Sequence, residues 1–126
     1  MNPIPLSAIR NLIIDMDGVL WHGDRPIPRL IEFFDFLRAR GIRFVLATNN
    51  ASRSGDEYVA KLAGMGVRVA LEEVLTSPQA TAAYLAAHAP GARVYIIGER
   101  GLRTELEACG LSVVNDQAPP YDATHV

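Results

Sequence analysis

The stretch LIIDMDGVL, at residues 12–20, decides the fold class of this chain. Its first three residues form an apolar run of the kind found in parallel strands that are covered on both faces. Asp15 and Asp17 follow where this strand ends, and Gly18 allows the backbone to turn. In open α/β sheets, ligands bind at the carboxyl ends of the strands. The two carboxylates are therefore predicted to lie at a binding site.

The spacing of these two acids predicts a metal ion. In an extended segment the side chains at i and i+2 point to the same side, so Asp15 and Asp17 face one ligand while Met16 faces away. Two carboxylates that face a phosphate dianion repel by several kcal/mol unless a hard cation lies between them. We therefore expect Mg²⁺ at this site.

The rest of the chain alternates between strand and helix patterns, which predicts a parallel α/β fold with right-handed crossovers. Strands are expected at 42–47, 74–75, 93–97 and 111–114, with another beginning at 124–126, and helices at 30–40, 54–65, 77–88 and 102–109. Residues 19–27 are expected to form an irregular loop. Cys109, near a helix end, is expected to be a small core residue.

Thr48 and Asn49 follow the second expected strand and supply a hydroxyl and an amide at the same edge of the sheet. Fixed donors there stabilise the charge that spreads over the phosphoryl oxygens in the transition state. Asp15 is the better placed nucleophile, and Asp17 then serves as the acid and base. These four side chains predict hydrolysis of a phosphate monoester through an aspartyl phosphate.

Length and composition narrow the class of protein further. The chain has 126 residues, of which 49% are hydrophobic and 21% charged, with a formal net charge of −2. This balance is typical of a soluble globular domain, and without a basic stripe nucleic acid is not expected as a partner. No apolar run approaches the roughly 18 residues of a membrane span, so no membrane partner is expected. The single cysteine indicates a reducing cytoplasm.

The motifs resemble those of the haloacid dehalogenase superfamily of phosphotransferases. The resemblance is to the branch with NagD-type sugar phosphatases and 4-nitrophenyl phosphate or phosphoglycolate phosphatases. It rests on DMDGVL at 15–20, TNN at 48–50, WHG at 21–23 and IP at 27–28. It covers essentially the full chain and implies a Rossmann-like parallel sheet in a three-layer α/β/α arrangement. The implied substrate is a small phosphorylated metabolite.

The resemblance also implies a role for each matching residue. Asp15 is the nucleophile and a Mg²⁺ ligand, and Asp17 is the acid and base and binds the metal through its backbone carbonyl. Thr48 binds the phosphoryl group, and Asn49 adds a backbone or side-chain contact. The domains implied are the N-terminal part of a catalytic core at 1–78 and part of an α/β cap domain at 79–126.

Two motifs of this family are missing from the sequence. One carries a lysine that offsets phosphate charge, and the other carries acidic residues that complete the Mg²⁺ shell. The only lysine is Lys61, which lies on the helix expected after TNN. We therefore expect the chain to be the N-terminal part of a longer enzyme, with low activity alone. The unpaired edge of its first strand also predicts association into homo-oligomers.

Several interpretations stay open at this point. Trp21 and His22 are assigned to the substrate entrance, although a loop tryptophan is as often a packing anchor. The DxD pattern also suits a glycosyltransferase that holds a metal and a nucleotide sugar, but that function leaves TNN without a role. A third alternative is a non-catalytic module that binds Mg²⁺ or a protein partner.

Overall fold

The computed structural model describes residues 6–126, which form two compact units. The first unit comprises the described residues up to 48 together with 55–75, and the second comprises 49–54 and 76–126. The core-to-cap boundary expected at residue 78 lies close to the end of the first unit. The assignment of the two units as core and cap stays a prediction. None of the helices in the described range has the length and apolar character needed to cross a bilayer.

The first unit contains most of the expected elements near their expected bounds. Its strands are β1 (Asn11–Asp15), β2 (Trp21–His22), β3 (Arg25–Pro26), β4 (Arg43–Thr48) and β5 (Val74–Thr76), and its helices are α1 (Leu30–Ala39) and α2 (Gly55–Gly64). Single 3₁₀ turns lie at Leu6–Ala8 and Leu71–Glu73. The last residue of β5 belongs to the second unit.

The order of strands in the main sheet is β1-β4-β5. The first two strands are parallel, with Asn11 opposite Arg43 and Asp15 opposite Ala47. The α/β fold with a parallel sheet is thus confirmed. Because β1 and β4 run in the same direction, their carboxyl ends meet at one edge of the sheet.

The hydrophobic core of the first unit lies on one face of this sheet. Ile14 of β1 and Leu46 of β4 are buried there, and α1 covers them with its buried residues Leu30, Phe34 and Leu37. These three residues share one helix face because they recur every three or four positions.

The opposite face of β1 is open in the described chain. Ile13 is 83% exposed, although its neighbour Ile14 lies in the core. The expectation that this strand is covered on both faces is therefore wrong for residues 6–126. An apolar run shows that both faces suit burial, but it does not show that both find a partner.

The segment 19–27 is not the irregular loop that was expected. Its strands β2 and β3 pair antiparallel, with Trp21 opposite Pro26 and His22 opposite Arg25. Gly23 turns the chain between them with φ of +60°. Strands of two residues are too short to show alternation in the sequence, so the pattern could not reveal this hairpin.

The second unit is also an α/β structure. Its elements are α3 (Ser77–His88), β6 (Arg93–Val94), α4 (Arg100–Ala108) and β7 (Ser112–Val113). The two strands are parallel and shorter than predicted, and His125 forms a parallel bridge with Val94. Helix α3 begins as expected, after a capping box in which Gln79 N donates to Thr76 Oγ1 and Thr76 N donates to Gln79 Oε1.

Cys109 is exposed, so its expected place in the core is a further correction. It caps the end of α4, where the neighbouring core positions are taken by Leu106 and Leu111. The position of an apolar residue near a helix end does not show which side of the helix it occupies.

Two glycines near the end of α2 offer a matched test of the fold. Gly66 has φ of +84°, and a Cβ there would lie 2.9 Å from Ile31 Cδ1, whereas a Cβ on Gly64 would meet no atom within 4 Å. We expect Gly66→Ala to lower the free energy of unfolding by about 1–2 kcal/mol because of left-handed strain. Gly64→Ala should raise it by about 0.4–1 kcal/mol. Urea denaturation measures both, and equal effects would contradict this account.

Candidate active site

Asp15 is the last residue of β1, and Asp17 follows two residues later in the turn after it. Burial alternates along this segment, because Ile14 and Met16 are buried while the two acids are exposed. Asp15 Oδ1 accepts a 2.9 Å hydrogen bond from Met16 N, which ties the carboxylate to the backbone. The alternation predicted from the i and i+2 spacing is present.

A tight turn follows the acids and sets the position of Asp17. Gly18 has φ of +83°, and its N–H donates to Trp21 O at 2.8 Å. Leu20 N donates to Met16 O, also at 2.8 Å. A Cβ on Gly18 would meet no atom within 4 Å. Glycine is therefore favoured here by the backbone conformation and not by lack of space.

Both carboxylate oxygens of Asp17 accept hydrogen bonds from aromatic side chains. Trp21 Nε1 donates to Oδ1 at 2.7 Å, and Tyr58 OH donates to Oδ2 at 3.3 Å. The two rings stack with their centroids 6.2 Å apart, and both side chains are buried. Trp21 is thus a packing anchor that also holds an acid of the site.

Tyr58 was not singled out from the sequence. It lies on α2, where its burial fits the apolar face of that helix, so its pattern resembles that of any core aromatic. The one feature that could have indicated a role at the site is its hydroxyl, because a buried tyrosine needs a hydrogen-bond partner. His22 is exposed, and its role at a substrate entrance stays a prediction.

Lys61 contacts the Trp21 ring and the turn of the β2–β3 hairpin. Its Nζ lies 4.8 Å from the centre of the Trp21 ring, donates to Gly23 O at 2.8 Å, and is 3.7 Å from Asp24 Oδ1. The only lysine of the chain therefore contacts the β2–β3 hairpin at its turn and at the indole ring of β2. These contacts explain its presence without a role in offsetting phosphate charge.

Thr48 ends β4 at the same edge of the sheet as Asp15. It follows Ala47, the residue opposite Asp15, and its side chain is 7% exposed. Asn49 is the first residue of the second unit and is exposed. Its backbone carbonyl accepts a 3.2 Å hydrogen bond from Ser77 Oγ. The contact of Asn49 with phosphate stays a prediction.

The donors at this site suit magnesium. Asp15 and Asp17 offer carboxylate and carbonyl oxygens, the ligands that hard cations prefer. Within residues 6–126, no group of three or more His, Cys, Asp or Glu side chains could hold a metal. Mg²⁺ commonly binds one or two protein carboxylates and takes its other ligands from water and substrate phosphate. The two acids therefore fit as part of a magnesium shell.

Comparison with known proteins identifies the family. The sequence model of the haloacid dehalogenase-like hydrolases matches residues 12–112, so the chain belongs to this family. The acid sugar phosphatase of Staphylococcus aureus is 38% identical over 116 residues, which cover 92% of this chain and 45% of that protein. The chain thus spans less than half the length of this curated relative.

Solved structures of related proteins have the same fold as this chain. NagD from Escherichia coli superimposes with a TM-score of 0.75 at 35% identity, over 83% of this chain and 42% of that one. A glycerol phosphate phosphatase from Mycobacterium tuberculosis, in complex with magnesium, gives a TM-score of 0.73 at 40% identity, over 82% and 31% of the two chains. These likenesses confirm the NagD branch, subfamily IIA, and the fold class.

Magnesium affinity tests the donor set. Asp15→Asn removes the charge of one proposed ligand and should weaken Mg²⁺ binding by at least about tenfold, equivalent to roughly 1.4 kcal/mol. The matched control is Asp24→Asn, because Asp24 has the same charge and its side chain is 97% exposed on the hairpin. Calorimetric titration of each variant measures the dissociation constant. An equal loss in both variants would point to a general charge effect.

Proposed function

We propose that this protein is a Mg²⁺-dependent phosphate monoester hydrolase that works through an aspartyl phosphate. The observation that carries the proposal is the position of Asp15 and Asp17 at and just after the end of β1, with Thr48 ending the neighbouring strand. Membership of the haloacid dehalogenase-like hydrolases supports the same reaction class. The phosphatases among its relatives support it further.

In the proposed first step, a carboxylate oxygen of Asp15 attacks phosphorus. The bond from phosphorus to the ester oxygen breaks, its electron pair goes to that oxygen, and protonated Asp17 supplies the proton that makes a neutral alcohol. The Thr48 hydroxyl donates to a phosphoryl oxygen as charge spreads over it. Mg²⁺, when bound, offsets the negative charge that phosphate and carboxylates bring together.

In the second step, Asp17 accepts a proton from water as the water oxygen attacks phosphorus. The bond between phosphorus and Asp15 breaks, which releases phosphate and restores the carboxylate of Asp15. Asp17 is protonated again, so the site returns to its starting state. Splitting hydrolysis in this way replaces one difficult displacement with two easier ones.

The substrate we propose is a small phosphorylated metabolite. The relatives named above include an acid sugar phosphatase and a glycerol phosphate phosphatase. We assign residues 6–78 to the N-terminal part of a catalytic core and residues 79–126 to part of a cap domain. Asn49 would contact the phosphoryl group, and His22 would line the entrance. Cytoplasmic location is part of the proposal, since the single cysteine is free and exposed.

The proposal also includes low turnover by the 126-residue chain alone. The described residues offer two acids for the metal and no third acid beside them, and Lys61 is engaged by the hairpin. A substrate phosphate would then meet too little positive charge for fast reaction.

A mimic of the phosphoenzyme tests the reaction class without turnover. Beryllium fluoride with Mg²⁺ should raise the Tm of the chain by roughly 10 °C at 100 times its Kd, a stabilisation of about 2.7 kcal/mol. The effect should require both components and vanish in Asp15→Asn, while Asp24→Asn keeps it. Differential scanning calorimetry measures these shifts.

The alternatives give different results in the same assay. A glycosyltransferase would be protected by a nucleoside diphosphate with Mg²⁺ instead, and a module that binds only the metal would gain nothing from the fluoride. Protection that persists in Asp15→Asn would remove the nucleophile from the proposal. Release of inorganic phosphate from a monoester panel is the direct check on turnover.

We also propose that the chain self-associates through β1. In the described sheet β1 is an edge strand, and next to its unpaired backbone Ile13 is 83% exposed. Edge strands with exposed apolar side chains are templates for pairing with another chain. A second copy of this chain carries the same edge and the same apolar face.

Charge on the open face should suppress this association. We expect Ile13→Lys to shift the chain toward monomer, because lysine on an edge strand opposes pairing. Ile97→Lys is the matched control, since Ile97 is similarly exposed at 87% but lies in the second unit. Sedimentation velocity over a concentration series measures the distribution. A monomeric wild-type chain would contradict the proposal.

A further inference from the structure

We infer that Trp21 and Tyr58 are positioning residues for Asp17, and that they give its two carboxylate oxygens different tasks. Oδ1 is kept as a hydrogen-bond acceptor, and Oδ2 is the oxygen that gives and takes the proton. Because Asp17 is the acid and base only in the proposed reaction, this role of the two aromatic residues rests on that function.

Trp21 restricts Oδ1. An indole N–H can only donate a hydrogen bond, and Trp21 Nε1 lies 2.7 Å from Oδ1. A proton on Oδ1 directed at the indole would place two hydrogens against each other. In either protonation state of Asp17, Oδ1 must therefore present a lone pair to Trp21.

The Tyr58 hydroxyl allows the protonation state of Oδ2 to change. A phenol hydroxyl can donate or accept, and Tyr58 OH lies 3.3 Å from Oδ2. It donates when Oδ2 is ionised and can rotate its hydrogen away when Oδ2 is protonated. The proton can thus leave or return at Oδ2 while Trp21 continues to hold Oδ1.

The two donors are themselves held in place. Trp21 is 1% exposed and Tyr58 is fully buried, and their rings stack at an interplanar angle of 23°. Lys61 lies over the indole, with its Nζ 4.8 Å from the ring centre. Side chains packed in this way cannot rotate without moving their neighbours, so they can hold the carboxylate in one orientation.

Fluorescence tests the geometry without any turnover. Trp21 is the only tryptophan of the chain, so its emission reports directly on the hydrogen bond to Asp17. We expect Asp17→Ala to shift the emission maximum, because it removes the acceptor of the indole N–H. Asp15→Ala makes the same charge change two residues away and should leave the spectrum unchanged. Equal spectra for wild type and Asp17→Ala would overturn the inference.

Kinetics of the natural protein test the positioning. Tyr58→Phe removes only the hydroxyl, and 3-benzothienylalanine at position 21 removes only the indole N–H. Each should lower kcat/KM for an alkyl phosphate by roughly tenfold, part of the 10²–10⁴-fold that general acid catalysis supplies. The loss for 4-nitrophenyl phosphate should be small, because nitrophenolate leaves without a proton. Tyr84→Phe, at a tyrosine that is 62% exposed, is the matched control.

The outcomes separate this inference from the proposed function. Equal losses for the two esters would indicate a purely structural role, and no loss in either variant would remove the role altogether. Both results overturn the positioning and leave the phosphatase intact. Failure of the wild-type protein to hydrolyse either ester would overturn the proposed function, and the inference with it.

Discussion

The hydrogen bond from the Trp21 indole to Asp17 links the backbone of the turn to the core of the first unit. Its N···O distance is 2.7 Å, and the same turn is closed by the bond from Gly18 N to Trp21 O. Burial of the tryptophan fixes the start of the hairpin, and the start of the hairpin fixes the carboxylate. The position of Asp17 thus depends on hydrophobic packing as much as on the strand before it.

Charge is the second constraint on this site. Asp15 and Asp17 lie two residues apart on the exposed side of the segment, so any phosphate that binds adds to a local excess of negative charge. The nearby Lys61 is committed to Gly23 and Trp21. A cation with oxygen ligands would offset this charge, which is why magnesium is part of the proposed function.

The sequence predicted the regular elements well where periodicity was long. Helix α1 and strand β4 fall close to their expected bounds, because their apolar spacing covers several turns or residue pairs. The sequence did not predict features that depend on contacts between residues far apart in the chain. The hairpin contacts Lys61 of α2, and the exposure of Ile13 depends on which partners β1 finds. Neither has a local signal.

The sequence by itself determined the family and the α/β class, and it is the source of the proposal that Asp15, Asp17 and Thr48 form the site, because residue type and position after apolar strands are local properties. Only the tertiary structure decided how Asp17 is held. Tyr58 lies 41 residues from it along the chain, and in sequence this tyrosine cannot be distinguished from an ordinary core aromatic. A hydrogen bond between distant residues exists only after packing has brought donor and acceptor together.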